Sequence, residues 1–350
     1  MNFTVKEIKE KDIWDEFLEE NESGHVFQSF DWGVFKKTQK WKVRRIMLQD
    51  SAGENVAALS ILEKKIPLAG FKIWYLPRGP VLDFQNKELV EEVADFLIDF
   101  ARKNKVMAVK ISPDVVLDES TKWIPELLKN KGFKEAVDYQ LHKCTVRIDL
   151  RDDLDKIFSN FKKNTRWEIR KGESIEIKVE PKKDESGLRD FYQLYSQAMG
   201  RDKLSFSYFK NLLKTLEQNI SILIAYQPKD YGNHSLSAGF FAHFNHKYWY
   251  LFGGSTKKYP TLNASQVLQG DIIRRAKKDP LAKFYDLQGI PCGKPKTPHD
   301  KGVLQFKEGF GGEKVELIGE FDYVFSPILY AILRKLNQAR MMIMGITGIV

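Results

Sequence analysis

Residues 284–312 read FYDLQGIPCGKPKTPHDKGVLQFKEGFGG, and the rest of the chain is organised around them. Phe284, Tyr285 and Leu287 surround Asp286 in a short apolar run that predicts a buried strand. Gly289, Pro291, Gly293, Pro295 and Pro298 follow, and predict a long open loop that neither helix nor strand continues. A short turn of helix carrying Phe306 and Lys307 comes next, stopped by Phe310-Gly311-Gly312. A strand ending in an acid, a loop, and a lysine held between aromatics together make a candidate site, because loops on a rigid scaffold carry chemistry. The other reading is a surface loop with a solvated lysine, and the pattern alone leaves the two level.

Upstream, 220–226, 236–244 and 247–253 predict three strands in a row, the last two joined by a tight turn at Asn245-His246. A helix at 264–278 leads into the strand of the opening stretch. Before the three strands come one long helix at 152–171, a strand at 175–179, and helices at 185–199 and 206–218. The long helix has an apolar stripe of Leu154, Ile157, Phe158, Phe161 and Ile169. Downstream, 314–318 predicts a strand and 326–340 an amphipathic helix. The first half repeats the order without repeating the sequence: strand 2–8, helices 13–20 and 29–39, strands 41–48, 55–66 and 71–76, helix 87–103, strand 106–111, helix 121–130 and strand 141–150. Antiparallel meanders followed by helix–strand crossovers specify an α+β fold with mixed sheets, here in two tandem copies. The order is also that of the N-acetyltransferase (GNAT) fold, an analogy that carries no activity by itself.

With 350 residues, 43% of them hydrophobic, the chain has room for two ordinary domains and their cores. Its net charge of +9 favours a polyanionic partner such as a nucleic acid, a nucleotide or an acidic membrane face, although charge alone does not decide. Cys144 and Cys292 are far apart in sequence and have no metal-ligand spacing, which predicts reduced thiols and a cytoplasmic location. The charged start MNFTVKEIKEKDIW does not read as a signal peptide, and no run approaches the ~20 apolar residues that span a bilayer. There is no Walker loop or dinucleotide fingerprint, and the six histidines have no zinc spacing.

Four further stretches hold candidate residues. FKKNTRWEIRK, residues 161–171, carries Lys162, Lys163, Arg166, Arg170 and Lys171 with one acid; the spacing of Lys162, Arg166 and Arg170 lines one helix face. That face would track phosphates while Trp167 stacks on a base; a solvated basic face is the competing reading. Lys36 and Lys37 follow Trp32 on a short helix, either as a phosphate clamp or as surface charge. Arg78, in YLPRGP, would grip an anion bidentately or merely shape a turn. The strand YWYLFGGS, residues 248–255, includes Tyr250 and Phe252; its glycines admit close backbone approach, and core packing is the alternative. Where a coenzyme-A acetyltransferase has a glycine-rich pyrophosphate loop before its helix, this chain has STKKYPTLNASQ, which counts against an acyl-CoA donor.

Taken in order, these stretches resemble the FemABX family of Fem-type peptidyltransferases, which build the interpeptide bridge of peptidoglycan. The resemblance is carried by Phe27-Gln28-Ser29 with Trp32 and Lys36; by Tyr75 to Pro80 with Val81 and Asp83; by Asn164 to Lys171; by Tyr250 to Ser255; by Tyr285 to Ile290; and by Phe306-Lys307 through Gly312, with Gly319 and Asp322. It implies two GNAT-like domains, 1–150 and 151–319, with 320–350 returning to complete the first, and no coiled-coil arm. It implies an aminoacyl-tRNA donor and, as acceptor, the stem-peptide amine of UDP-MurNAc-pentapeptide or lipid II, with neither cofactor nor metal. By the same resemblance Lys307, with Phe306 beside it, lies at the transferring group; Lys36 binds the precursor diphosphate; and Tyr208 belongs to that pocket. Arg78, Tyr250 and Asp286 are added as substrate-side candidates. Three positions depart from the family: Ser112 stands where an aspartate is common, Leu204 where an arginine is expected (Arg201 or Lys203 substituting), and Phe252 where a tyrosine is expected. The departures fall on the acceptor side. They leave open transfer to a different amine, beside an acyl-CoA N-acyltransferase and a non-catalytic tRNA- or precursor-binding protein. The last helix, with Arg334, Lys335 and Arg340 and the apolar end Met341 to Met344, offers a peripheral contact with an anionic membrane face, packing on the first domain being the alternative.

Overall fold

The computed structural model describes residues 3–66, 70–200, 203–227, 234–332, 334 and 335. The chain divides into two compact units, one formed by the residues up to Lys143 together with those from Glu316 onward, the other by Cys144–Val315.

The first unit runs β1 (Thr4–Glu7), α1 (Lys11–Glu20), α2 (Phe30–Thr38), β2 (Lys42–Gln49), β3 (Asn55–Lys65), β4 (Lys72–Pro77), β5 (Val81–Leu82), α3 (Lys87–Lys103), β6 (Val106–Ser112), α4 (Trp123–Asn130) and β7 (Lys134–Glu135). The second runs β8 (Cys144–Asp149), α5 (Leu154–Ser159), α6 (Lys163–Ser174), β9 (Lys178–Pro181), α7 (Glu185–Met199), α8 (Phe206–Thr215), β10 (Ile220–Tyr226), β11 (Ser235–Phe244), β12 (Lys247–Ser255), α9 (Ala264–Ala276), β13 (Phe284–Ile290), α10 (Pro298–Glu308) and β14 (Glu313–Glu316). A last strand, β15 (Phe321–Val324), returns to the first unit.

Both sheets follow one plan. The first has the order β1-β2-β3-β4-β6-β15-β7, with β5 beside β3. Its meander is antiparallel as far as β4, which pairs in parallel with β6 after the α3 crossover. The second has the order β14-β8-β13-β12-β11-β10-β9, with β12 and β13 parallel across α9. In each, the strand after the crossover is flanked by an antiparallel strand from outside its own run, β15 against β6 and β8 against β13. The fold is thus α+β with two mixed GNAT-like sheets, and the C-terminal segment returns to the first. One boundary is corrected. The strand expected at 141–150 as the end of the first domain is β8, and it pairs with β13 in the second sheet, because the next strand in sequence is not the next in space.

The crossover helix α3 shows why the elements form. Asn86 caps it by accepting from Leu89 N–H at 3.0 Å, and Arg102 and Lys103 close its last turn. Leu89, Val93 and Leu97, at helical spacing, are buried in the core with Trp74 and Ile111. Each such side chain contributes about 1.5–3 kcal/mol when removed from water. It is also the longest helix among the described residues, at 17 residues.

Two local expectations fail, the first for a tertiary reason and the second for a local one. The long helix at 152–171 is broken into α5 and α6. Phe161 is driven into the core, where it stacks on Phe158 at 4.7 Å and meets Phe310 edge-on at 5.5 Å, while Lys162 N–H donates to Gly309 O instead of continuing the helix. The loop expected through Pro298 is shorter, because Pro298 begins α10. Thr297 and Asp300 form a reciprocal capping box around it.

The reduced-thiol expectation is corrected too. Cys144 and Cys292 form a disulfide with Cα atoms 5.2 Å apart across a sequence separation of 148. The β8–β13 ladder places Cys144 opposite Ile290, which brings Cys292 within reach. The helix expected at 326–340 begins at 327, and residues 336–350, with Arg340 and Met341 to Met344, lie outside the described residues, as does Arg201. No helix among the described residues is long and apolar enough to cross a membrane.

Candidate active site

In the first unit Ser29 caps α2, its hydroxyl accepting from Trp32 N–H at 3.2 Å. One turn on, Lys36 is 1% exposed. Its Nζ lies 5.4 Å from the Trp32 ring and 5.8 Å from the Phe35 ring, with no hydrogen bond or ion pair among the described residues. Burial, helped by the charge of Lys64, lowers its pKa to about 8. Arg78 takes a left-handed backbone (φ 51°) in the turn after β4 and donates to His142 O at 2.9 Å. It is buried, so this turn anchors chain as well as presenting a cation. Ser112 ends β6 opposite Pro77, and its N–H donates to Gly79 O. Among the described residues its hydroxyl has no partner, and neither have Ser60 Oγ and Trp32 Nε1, all three buried.

Gln28 is a positioning residue that the motif contained without a role being assigned to it. Its amide accepts from Ser60 N–H at 3.0 Å and donates to Pro77 O at 2.6 Å, fastening β3 to the end of β4. A Cβ at residue 79 would fall 2.5 Å from that amide, so Gly79 is required by close approach. Arg45 was also missed. It is buried with its guanidinium 3.7 Å from the Phe30 ring centroid and donates to Phe30 O, and burial lowers its pKa to about 10. In the strand KVRRIMLQ nothing local tells the buried Arg45 from its basic neighbours.

In the second unit Lys307 stands in the last turn of α10, 9% exposed. Its ammonium donates to Gln288 O at 3.0 Å and Gly289 O at 2.8 Å. These carbonyls are presented because β13 breaks register between Asp286 and Gly289, with Gln288 at φ 60°. Burial lowers the Lys307 pKa to about 8, and the charge of Asp286 opposes that. Asp286 itself is buried and fully engaged by Thr145 Oγ1, by Arg147 Nε at 2.9 Å and by Gln288 N–H at 2.7 Å. The strand-end acid therefore shapes the bulge that holds the lysine. Phe306, half-buried beside it, packs edge-on to Phe310 at 5.2 Å. A Cβ on Gly311, which has φ 64°, would sit 2.1 Å from Asn160 O, so the glycine end of this stretch fits α10 tightly against the α5–α6 break.

The aromatic candidates separate. A bulge in β12 pairs Phe240 with Phe252 but Phe241 with Tyr250, so Tyr250 and Phe252 turn to opposite faces of the sheet. Phe252 meets Tyr208 at 6.2 Å and Phe209 at 5.1 Å, beside α8. Tyr250 stacks on Phe241 at 5.4 Å, and burial raises its pKa to about 12. Tyr208 is buried as well, which raises its pKa well above the ordinary value. Lys203 is exposed, its Nζ 6.0 Å from the Tyr192 ring.

The basic face is also divided. Lys162 pairs with Glu308 at 3.0 Å, and Arg166 donates to Ser159 O and Phe161 O at the end of α5. Those two residues hold the helix break together. Lys163 and Arg170 are exposed, and Lys171 lies over the Trp167 ring at 4.9 Å. Among the described residues no cluster of three or more His, Cys, Asp or Glu is arranged to hold a metal.

The FemAB family profile matches residues 9–233 and 227–338. The lipid II:glycine glycyltransferase of Staphylococcus epidermidis is 26% identical over 92% of this chain and 93% of that protein. That of Staphylococcus aureus is 25% identical over the same shares. Among solved structures, the crystal structure of FemX superposes with a TM-score of 0.84 at 22% identity, over 94% of this chain and 99% of that one. A tandem GNAT protein from the clavulanic acid biosynthesis pathway superposes at 0.52 with 9% identity, over 92% of this chain and 98% of that one, a likeness of fold alone. Matched by the family profile along nearly its whole length, this chain belongs to the FemAB family, as a transferase built on two GNAT-like units.

Proposed function

We propose that the protein transfers an aminoacyl group from aminoacyl-tRNA to the stem-peptide amine of a peptidoglycan precursor. Lipid II and glycine are the first acceptor and amino acid to test, since the relatives' names specify both. The observation that carries this reading is the setting of Lys307. An ammonium has three N–H donors, and two of them are fixed on the Gln288 and Gly289 carbonyls. The third remains for a substrate oxygen, on a group that a pKa of about 8 leaves mostly charged at neutral pH.

In the reaction the neutral acceptor amine attacks the ester carbonyl of the charged tRNA. A C–N bond forms and the carbonyl oxygen takes up the negative charge. Collapse breaks the ester C–O bond, and the departing ribose oxygen takes the proton lost by the attacking nitrogen. Lys307 stabilises the oxyanion from a fixed position without reorganising. On the acceptor side, Lys36 is a buried cation without an anion among the described residues, matched to a phosphate as a compact point charge. Arg78 and Ser112, in the same unit as Lys36, are assigned to the acceptor on the same reading. An acceptor on a lipid carrier would place this work at the cytoplasmic face of the membrane.

An acyl-CoA donor fits less well. The segment before α9 closes as a 3-10 turn at Pro260–Leu262, and Tyr259 and Leu262 pack on the core. No glycine-rich pyrophosphate loop precedes this helix N-terminus; the segment there reads STKKYPTLNASQ.

The test offers total tRNA charged with labelled amino acids to lipid II and to UDP-MurNAc-pentapeptide, with acetyl-CoA run in parallel. Label on a precursor that RNase abolishes is the expected outcome. Label on neither precursor sends the acceptor search to other amines, and activity with acetyl-CoA alone overturns the reading.

A further inference from the structure

We propose that Trp167 is a stacking platform for an unpaired nucleobase at the end of the donor RNA, an inference that rests on the aminoacyl-tRNA reading above. Trp167 is 58% exposed. Helix α6 is anchored on its other side, through Thr165, Ile169 and Gly172, so the ring is not needed for packing. Its surroundings are cationic. Lys163 and Lys171 lie four residues to either side and Arg170 three residues on, which makes all of them its surface neighbours. Lys171 Nζ sits 4.9 Å from the ring centroid and orients it by a cation–π contact. Lys257 and Lys258 are exposed on the segment leading to the Pro260–Leu262 turn, which packs against the same helix. The acid Glu173 is neutralised by Arg274 at 2.7 Å; Glu168 remains, half-buried, on the helix.

An exposed aromatic ring between lysines and arginines is the combination that binds single strands: the cations track phosphates, and the ring takes any base by its π-face. Its location favours the reactive end of the RNA. Helix α6 begins at the end of α10, with Lys162 N–H donating to Gly309 O at 2.9 Å and Lys162 paired with Glu308. Trp167 is five residues on, about 8 Å along the axis. A base stacked there would belong to a strand running to the helix that carries Lys307. Because the pairings of Lys162 and Arg166 are internal, the phosphate contacts fall to Lys163, Arg170 and Lys171.

The test uses the full chain and two labelled RNA hairpins with the same stem, one blunt and one with a four-nucleotide single-stranded 3′ extension. Trp167→Ala is expected to weaken binding of the extended hairpin about 10- to 100-fold and to leave the blunt one unchanged, with Trp167→Phe close to wild type. Equal affinity of wild type and Trp167→Ala for the extended hairpin overturns the platform while leaving the donor reading intact. An equal loss for both hairpins also overturns it, since the ring would then act through the fold. Binding of neither hairpin by the wild type overturns both proposals. If Trp167→Ala instead abolishes self-association at unchanged RNA affinity, the ring is a contact between two copies and the inference fails.

Discussion

Lys36 and Lys307 are alike in burial and unlike in what surrounds them. Both lie inside their units, and both have pKa values lowered to about 8 by desolvation. Lys307 donates to two backbone carbonyls and has Asp286 nearby. Lys36 has two aromatic rings and, among the described residues, no acceptor. A buried charge with hydrogen-bond partners is a positioned tool; a buried charge without them costs stability until an anion arrives. The pair therefore predicts different consequences for the same chemical change.

The largest expected effect is on turnover. Lys307→Met removes the oxyanion donor, and single-turnover transfer should fall about 100- to 1000-fold, while affinity for charged tRNA changes only a few-fold. Wild-type turnover in this variant would remove Lys307 from catalysis. Lys36→Met should reverse that division. Loss of a charge-assisted contact, about 1.5–3 kcal/mol, predicts roughly 10- to 100-fold weaker acceptor binding at an almost unchanged rate from the saturated complex. Calorimetry with the soluble precursor reads it directly, and an unaltered Kd would take Lys36 out of the pocket.

Stability sharpens the comparison further. The folded-state pKa of Lys36 lies below its unfolded value of 10.5, so the unfolded chain binds the extra proton between about pH 8 and 10.5. Stability then rises with pH across that window, and below it the cost of the buried charge is fully present. Lys36→Met should accordingly stabilise the protein at pH 7, by about 3 kcal/mol, and lose that advantage as the pH rises through the window. Lys307→Met should gain far less, because it leaves the Gln288 and Gly289 carbonyls without their donor. Thermal melts of both variants at pH 7 and pH 10 test this, and equal stabilisation by both would erase the distinction.

How far these sites were legible in the sequence follows the range of the interactions that build them. The element order, the lysine stretch and the Lys36 helix were readable because periodicity, caps and glycine punctuation are local signals. Even the start of α10 was available in Thr297, Pro298 and Asp300, a local capping pattern set at the end of a run of prolines and glycines that reads as loop. What stayed hidden depends on contacts distant in sequence. The break at Phe161 is set by Phe310, the disulfide by the β8–β13 ladder, and the parting of Tyr250 from Phe252 by a bulge that shifts register with no change of composition. Arg166 had the spacing of a phosphate-binding residue, yet it caps a neighbouring helix; spacing gives the face of a side chain and not its partner.

The smallest effect concerns the acid that separates the two lysines. Asp286 raises the Lys307 pKa against burial, whereas among the described residues the charge beside Lys36 is that of Lys64, which lowers its pKa. Transfer needs Lys307 charged, so turnover should fall as the pH rises through the Lys307 pKa, on top of a rise as the acceptor amine deprotonates. Asp286→Asn removes the charge and retains an oxygen for the Gln288 N–H. The Lys307 pKa must then drop further, and the alkaline fall in turnover should move to lower pH while the acceptor-governed limb stays where it is. A pH–rate profile of this variant beside wild type decides the matter. An unmoved alkaline limb would mean that Asp286 acts on the shape of the β13 bulge alone, and an upward shift would contradict the electrostatic link between the acid and the lysine.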